Sequence, residues 1–270
     1  MNSKNFDHLQ FYKSYPHKVI MRPGYPARAV FKSTLMFTLF GKYILNEIGT
    51  ISNYADIGGC FGFGANAMSY QINKVQGTLP KTLVFEISSD FVTIGKQLFP
   101  HINFIQSEFN EWQGDINYFD LITLFDVVEH ILEPDLFLRK VSLRSKYILL
   151  KTPMETSGEL RGNKPPVEQG DKHGDGHINF FTPRSYEKLL NNCNFDIIKS
   201  RLLPTIVPRG TEAILCPDNE PPLGFTALMK RPKTFLRKVV TNFPGVPFKL
   251  KRLIVGGGDH ICLCKSRSYN

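Results

Sequence analysis

The side chains in this 270-residue sequence best suited to moving a proton are three histidines and an acid. His130 closes the run FDVVEH, which begins the turn region with Asp126, and His173 and His177 stand either side of Asp175 in a glycine-rich stretch. Imidazole titrates near neutral pH. Each histidine can therefore take the proton of an attacking hydroxyl, a step that contributes about 10² to 10⁴ in rate when the base is positioned. His130 is the first candidate, because it follows an apolar run by about one turn. His177 is the second and His173 the third. Holding a nearby backbone carbonyl is an equally good role for His130. Asp126 has three open roles: to bind a cationic amino group, to orient a histidine, or to face an acceptor. Glu129 reads as an acid on a helix surface. The pair His173/His177, four residues apart with Asp175 between them, also has the donor types of a metal site. Magnesium prefers oxygen ligands, however, and the surrounding glycines break the helix that would align both rings. No metal is expected.

A second group of residues has the chemistry of a nucleoside site. In YADIGGCFGFGANAM, residues 54–68, an apolar run closes on Asp56, and a glycine-rich turn then leads into helix formers. Gly58, Gly59, Gly62 and Gly64 remove side chains where the backbone bends and where a ligand must approach it. Asp56 suits a cationic ligand or a fixed hydrogen bond better than a pyrophosphate. In KTLVFEIS, residues 81–88, Glu86 ends a second run, where a bidentate carboxylate can accept from both ribose hydroxyls. The dinucleotide fingerprint fits poorly. Counted from Gly58, its third glycine falls on Phe63; counted from Gly62, it ends acceptably at Ala67 but begins well beyond the strand.

These residues need a scaffold that brings strand ends to one edge. Apolar runs at 54–56, 81–86, 101–106, 117–125 and 145–151 alternate with helical stretches at 64–73, 89–98 and 134–141. The alternation predicts a mostly parallel sheet covered on both faces, with ligands at its carboxyl edge. Ser88 or Ser89 is the expected cap of the second of these helices. A helix over 27–48 precedes the first strand and is expected to pack on the core or roof the pocket. Thr182 or Pro183 opens another, FDIIKSRLL forms a sixth strand, and DHICLCKSR an antiparallel seventh. Alternation along that last strand places Cys262 and Cys264 on one face, which reads as packing.

The ordered set ADIGG with Gly62, VFEIS, FDLITLFDVVEHI and HINFFTPRSYEKLLNNCNF resembles the class I S-adenosylmethionine-dependent methyltransferases over about residues 50–200. It looks most like their small-molecule branch, which includes ubiquinone-type and sugar O-methyltransferases. The resemblance implies a Rossmann-like seven-stranded α/β sheet with an antiparallel last strand. It implies S-adenosyl-L-methionine as cofactor, held by Asp56, Gly58, Gly59, Gly62 and Glu86, by Ser107 or Glu108 near the base, and by Phe125 with Leu124 through their backbone. The family carries glycine where this chain has Cys60, so a widened turn shared by Gly59 and Gly62 is expected. Enzymes that methylate exocyclic amines of bases resemble one another in a polar residue, two prolines and an aromatic after the fourth strand. This chain has FDVVEH there, so no nucleic-acid partner is expected despite the formal charge of +9.

That charge is concentrated late. From Met229 to Arg252 there are eight basic residues and no acid. The sequence divides into a lead-in and helix (1–49), the cofactor-binding core (50–203), a basic insertion (204–258) and the last strand (259–270). The insertion suits an anionic acceptor such as a nucleotide sugar or a lipid-linked glycan, or peripheral contact with an acidic membrane surface. With no apolar run long enough to span a bilayer, no signal-peptide core, and five cysteines without a CxxC pair, a cytoplasmic address is expected, extending to the inner face of the membrane. The expected reaction is methylation of a hydroxyl on a sugar or glycan intermediate. The alternatives are a phenolic, quinone-like or lipid hydroxyl, and a binding protein that keeps the fold without activity.

Overall fold

Strand β1 (Asn53–Ile57) is the axis of the sheet, pairing in parallel with β2 (Lys81–Glu86) on one side and β4 (Phe119–Phe125) on the other. The computed structural model describes residues 24–116, 118–154, 177–203 and 258–269. β3 (Asn103–Gln106) extends the sheet beyond β2, and β5 (Ser145–Met154) extends it beyond β4, both in parallel. β7 (Gly258–Ser266) then runs antiparallel between β5 and β6 (Phe195–Leu203), giving the order β3-β2-β1-β4-β5-β7-β6. This is the Rossmann-like arrangement expected. Chain direction reverses its progress across the sheet between β1 and β4, and a crevice opens there at the carboxyl ends.

Side-chain alternation divides the core in two. Tyr54, Val84, Leu121, Tyr147, Leu149, Ile261 and Leu263 face α1 (Tyr25–Ile48), α2 (Phe63–Gln76) and α3 (Ser89–Leu98). Ala55, Phe85, Ile122, Leu124, Ile148, Leu150, Cys262 and Cys264 face α4 (Pro134–Ser142) and α5 (Pro183–Asn192). The period of two in the strands thus fixes which helices each face receives. Both late cysteines lie in apolar packing, as expected.

Local signals account for the element ends. Ser88 accepts from the Phe91 amide as the cap of α3, and Thr182 and Ser185 form a reciprocal capping box on α5. α1 begins at Tyr25 because Pro26 fits its first turn. β5 runs three residues further than its apolar stretch because β7 pairs with it out to Met154. At the opposite end of β4, Asp120 accepts from the Ser52 and Asn53 amides at 2.8 and 2.9 Å and from Lys146 at 2.8 Å, tying β1, β4 and β5 together. Residues 1–23, which hold most of the expected lead-in, and 204–257, which hold all but the last residue of the basic insertion, lie outside the described residues.

α3 can lie against β3 only because Gly95 has no side chain. A Cβ there would stand 2.4 Å from the ring of Phe104, a core residue whose ring also fills the space beside Gly62. Alanine would otherwise favour the helix by about 1 kcal/mol. Gly95→Ala is expected to destabilise the chain by about 1–3 kcal/mol through overpacking, read as a lower Tm. An unchanged or higher Tm would show that the ring yields.

Candidate active site

The glycine turn after β1 is tied to the end of β2. The Gly58 amide donates to the Phe85 carbonyl at 2.8 Å, and the Cys60 amide donates to Glu86 Oε2 at 3.0 Å. Cys60 itself adopts the left-handed conformation, with φ of 49°. The residue that replaces the family's glycine therefore takes up a glycine-like backbone itself, and Gly62, with φ of 82°, shares the bend as expected. Gly59 is needed for a different reason. A Cβ on it would meet Asp56 Oδ2 and Val84 Cγ1, both at 2.8 Å.

The two acids of this half are buried and satisfied differently. Asp56 accepts from the Thr123 hydroxyl at 2.6 Å. Burial raises its carboxyl to about 7 against that hydrogen bond, and the nearby Glu86 adds to the rise. Glu86 accepts from the Ile87 and Ser88 amides through Oε1 and from Cys60 through Oε2. Burial raises its carboxyl too, with the three amides opposing. A carboxylate has about four lone-pair sites, so these bonds leave room for about one ribose hydroxyl rather than two. Past β3, the Ser107 hydroxyl donates to the Glu108 carbonyl and the Glu108 side chain is exposed. Phe125, the last residue of β4, packs half-buried against the α1 side of the core.

Asp126 sits one residue beyond β4 with φ of 58°, and its carboxylate lies between two ammonium groups. Lys32 of α1 reaches it at 2.5 Å, and the buried Lys151 of β5 bonds its other oxygen. Lys151 also bonds Asp259 of β7 at 2.9 Å. Burial pushes the Asp126 carboxyl up, but Lys151 and Lys32 outweigh it and hold it below the usual range. Burial would likewise lower the Lys151 ammonium, yet Asp126 and Asp259 hold it above its ordinary value. The open roles of Asp126 must therefore be played from inside an ion network. α1 roofs this edge as well as packing on the core, for Tyr25 lies edge-on to Phe61 of the glycine turn.

Beyond Asp126 a short 3₁₀ turn, Val128–His130, presents the histidine. The segment from His177 is stitched onto it. The amides of Ile178 and Asn179 both donate to the Glu129 carbonyl at 2.9 Å, and the Asn179 side-chain amide donates to the Ile131 carbonyl at 2.6 Å. Residues 47 positions apart thereby meet, with the His130 and His177 rings 4.9 Å apart and both half-buried. His173 and Asp175 lie outside the described residues.

Glu129 is the correction here. It is not a surface acid but fully buried, and neither carboxylate oxygen has a hydrogen-bond partner among the described residues. Burial, then the charge of Asp126, pushes its carboxyl well above the usual range. Lys151 had a signal in the sequence, as the one charge ending the apolar run YILLK. Lys32 and Asp259 had none, since only tertiary packing brings them to this edge.

Lys151→Met removes the cation that stands 2.9 Å from Asp259, which is 2% exposed. It is expected to cost about 3–5 kcal/mol in denaturant unfolding, whereas Lys32→Met should cost under about 1 kcal/mol, its side chain being 31% exposed. Equal losses would show that the network is not organised on Lys151. At Asp56 the folded chain binds a proton up to about pH 7 that the unfolded chain releases near pH 4. Stability is therefore expected to fall as pH rises across that window, by up to about 1.4 kcal/mol per unit. Asp56→Asn should flatten the slope, and a slope that survives would show Asp56 ionised in the fold.

The sequence profile of a methyltransferase-domain family matches residues 53–200. No curated protein matches the chain. Among solved structures, the plantazolicin methyltransferase BpumL in complex with S-adenosylhomocysteine superposes with a TM-score of 0.58 at 16% identity, covering 96% of this chain and 94% of that one. A candidate sarcosine dimethylglycine methyltransferase from Galdieria sulphuraria gives 0.54 at 11% identity, covering 86% and 84%. The cyclase SpnF gives 0.50 at 11% identity, covering 80% and 75%. These likenesses establish the fold, and the profile spans more than half of the chain. The protein belongs to the methyltransferase-domain family and is a class I S-adenosylmethionine-dependent methyltransferase.

Proposed function

We propose that this chain transfers the methyl group of S-adenosylmethionine to a hydroxyl of a sugar or glycan intermediate. The observation that carries the reading is the meeting of His130 and His177, two half-buried imidazoles 4.9 Å apart, at the carboxyl edge that also holds Asp56 and Glu86. An amine acceptor needs little more than alignment, since its lone pair is available once it is neutral. A hydroxyl must also lose a proton, and this edge offers groups that take one.

In this reading Glu86 would accept one ribose hydroxyl of the cofactor and Asp56 would fix the glycine turn that holds it, with Ser107 or Glu108 and the backbone of Leu124 and Phe125 as its further contacts. When bound, S-adenosylmethionine would supply an activated methyl group to the acceptor oxygen and leave as S-adenosylhomocysteine. The hydroxyl proton passes to an imidazole. Alignment of the two reactants can supply about 7–11 kcal/mol of the barrier.

BpumL has also been crystallised with S-adenosylhomocysteine and a desmethylPZN analog. That acceptor and the sarcosine or dimethylglycine of the Galdieria protein's name have little in common. The fold therefore leaves the acceptor to local chemistry, and for this chain the supporting features are the histidine pair and the basic run at 229–252. No helix among the described residues is long and apolar enough to cross a membrane, and peripheral contact through the basic run stays part of the proposal.

Calorimetric titration is expected to show S-adenosylhomocysteine binding and no NAD binding, with Glu86→Ala weakening the former at least tenfold. Methyl transfer to nucleotide-sugar and lipid-linked acceptors should then fall about 10² to 10⁴ in kcat in His130→Ala or His177→Ala, with cofactor affinity unchanged. Turnover confined to phenolic or amine acceptors would overturn the sugar assignment. Full activity in both histidine variants would overturn the role given to the pair.

A further inference from the structure

We propose that Glu129, His130 and His177 form a binding site for a first-row divalent cation of the zinc class. One donor atom from each residue lies within 4.8 Å of the other two. Some point between them is therefore within about 2.8 Å of all three, against bond lengths of about 2.0–2.2 Å for zinc to nitrogen and oxygen. Each donor needs to move inward by under about 1 Å. His130 Nε2 and Glu129 Oε1 are already 3.9 Å apart.

A second observation points to a ligand here. The Glu129 carboxylate is 0% exposed with both oxygens lacking a hydrogen bond among the described residues, a costly arrangement for a polar group. The other acids at the carboxyl ends of the strands are each compensated: Asp126 by two lysines, Glu86 by three amides, Asp56 by a hydroxyl. A bound cation gives Glu129 the partner that the others have.

The donor set selects the metal. Two imidazoles and one carboxylate suit zinc, cobalt or iron better than magnesium, which takes oxygen ligands and keeps its waters. Three protein ligands also leave a coordination position open, as catalytic rather than structural zinc sites do. The His130 side chain keeps 17% of its surface exposed, so the open position is reachable from the crevice. Its use rests on the reading above: an acceptor hydroxyl bound there would lose its proton more readily. In that state the imidazoles hold the ion instead of taking the proton, and solvent at the crevice receives it.

The probe is the metal alone. The full-length chain, stripped with chelator, is titrated with Zn²⁺, Co²⁺ and Mg²⁺ by calorimetry, with the visible absorption of Co²⁺ as a second readout. One Zn²⁺ or Co²⁺ per chain is expected, at least about tenfold tighter than Mg²⁺. Affinity should fall by about 100-fold in Glu129→Gln and in His177→Ala, and stay unchanged in His101→Ala, whose ring lies elsewhere against Asn66. Should Glu129→Gln fail to fold, the variants of the partly exposed His130 and His177 decide. Absence of Zn²⁺ and Co²⁺ binding, binding that survives His130→Ala and His177→Ala, or a preference for Mg²⁺ would each overturn the site. S-adenosylhomocysteine affinity, measured on the same samples, reports separately on the methyltransferase reading.

Discussion

The carboxyl edge of the sheet depends on the Lys151 ammonium. It is buried at the end of a central strand and bonds Asp126 beyond β4 and Asp259 on β7. Through Asp126 it is linked to Lys32 on the N-terminal helix. Parallel strands that end in acids bring negative charge together at one edge, and in a poorly solvated place that charge must be matched. One lysine between two acids does so and links β5 to β7, to the turn after β4 and, through Asp126, to α1. A hydrophobic contact could hold the strands, but it would take from Asp126 and Asp259 the buried ammonium that they share.

The same pressure explains why the acids differ in their chemistry. Glu86 is matched by backbone amides of the loops that it organises, so its conformation and theirs are set together. Asp56 has a single hydroxyl and keeps its proton to near neutral pH. Glu129 has neither, and lies beside the histidine pair. Beside these acids two non-glycine residues carry a backbone cost, Cys60 and Asp126, both in the left-handed region. Asp tolerates that region better than most residues, and such strain persists where the surrounding bonds over-determine it. Cys60 is held by the bond from its amide to Glu86, and Asp126 by its amide bond to the Lys151 carbonyl as well as by the lysines.

Function follows from which groups share the crevice. The half proposed to hold the cofactor is built from one strand, its turn and the next strand end. The half proposed to hold the acceptor is assembled from more distant parts: the turn after β4, the segment at 177–181 and the N-terminal helix. Acceptor preference can therefore diverge by changes in the connecting segments while the cofactor half stays the same. That fits a fold shared by BpumL, the Galdieria protein and SpnF at identities of 16% and below.

The sequence by itself determined the order of strands and helices, the α/β class, the glycine turn between Asp56 and the second helix, and the methyl-donor chemistry. The first three are written in local periodicity, turn residues and spacing, while the methyl-donor chemistry was carried by the resemblance of the ordered motifs to a known family. A strand with period two and a helix cap act over a few residues, so their signal survives without knowledge of the fold. Only the tertiary structure decided that Glu129 turns inward, that Asp126 is occupied by Lys32 and Lys151, that Cys60 bends as a glycine would, and that His177 comes to His130. Each of these depends on a partner 20 or more positions away in sequence, placed by packing of the two core faces. A charge seen alone in sequence reads as solvated, and burial and pairing become visible only when the chain that covers it is in place.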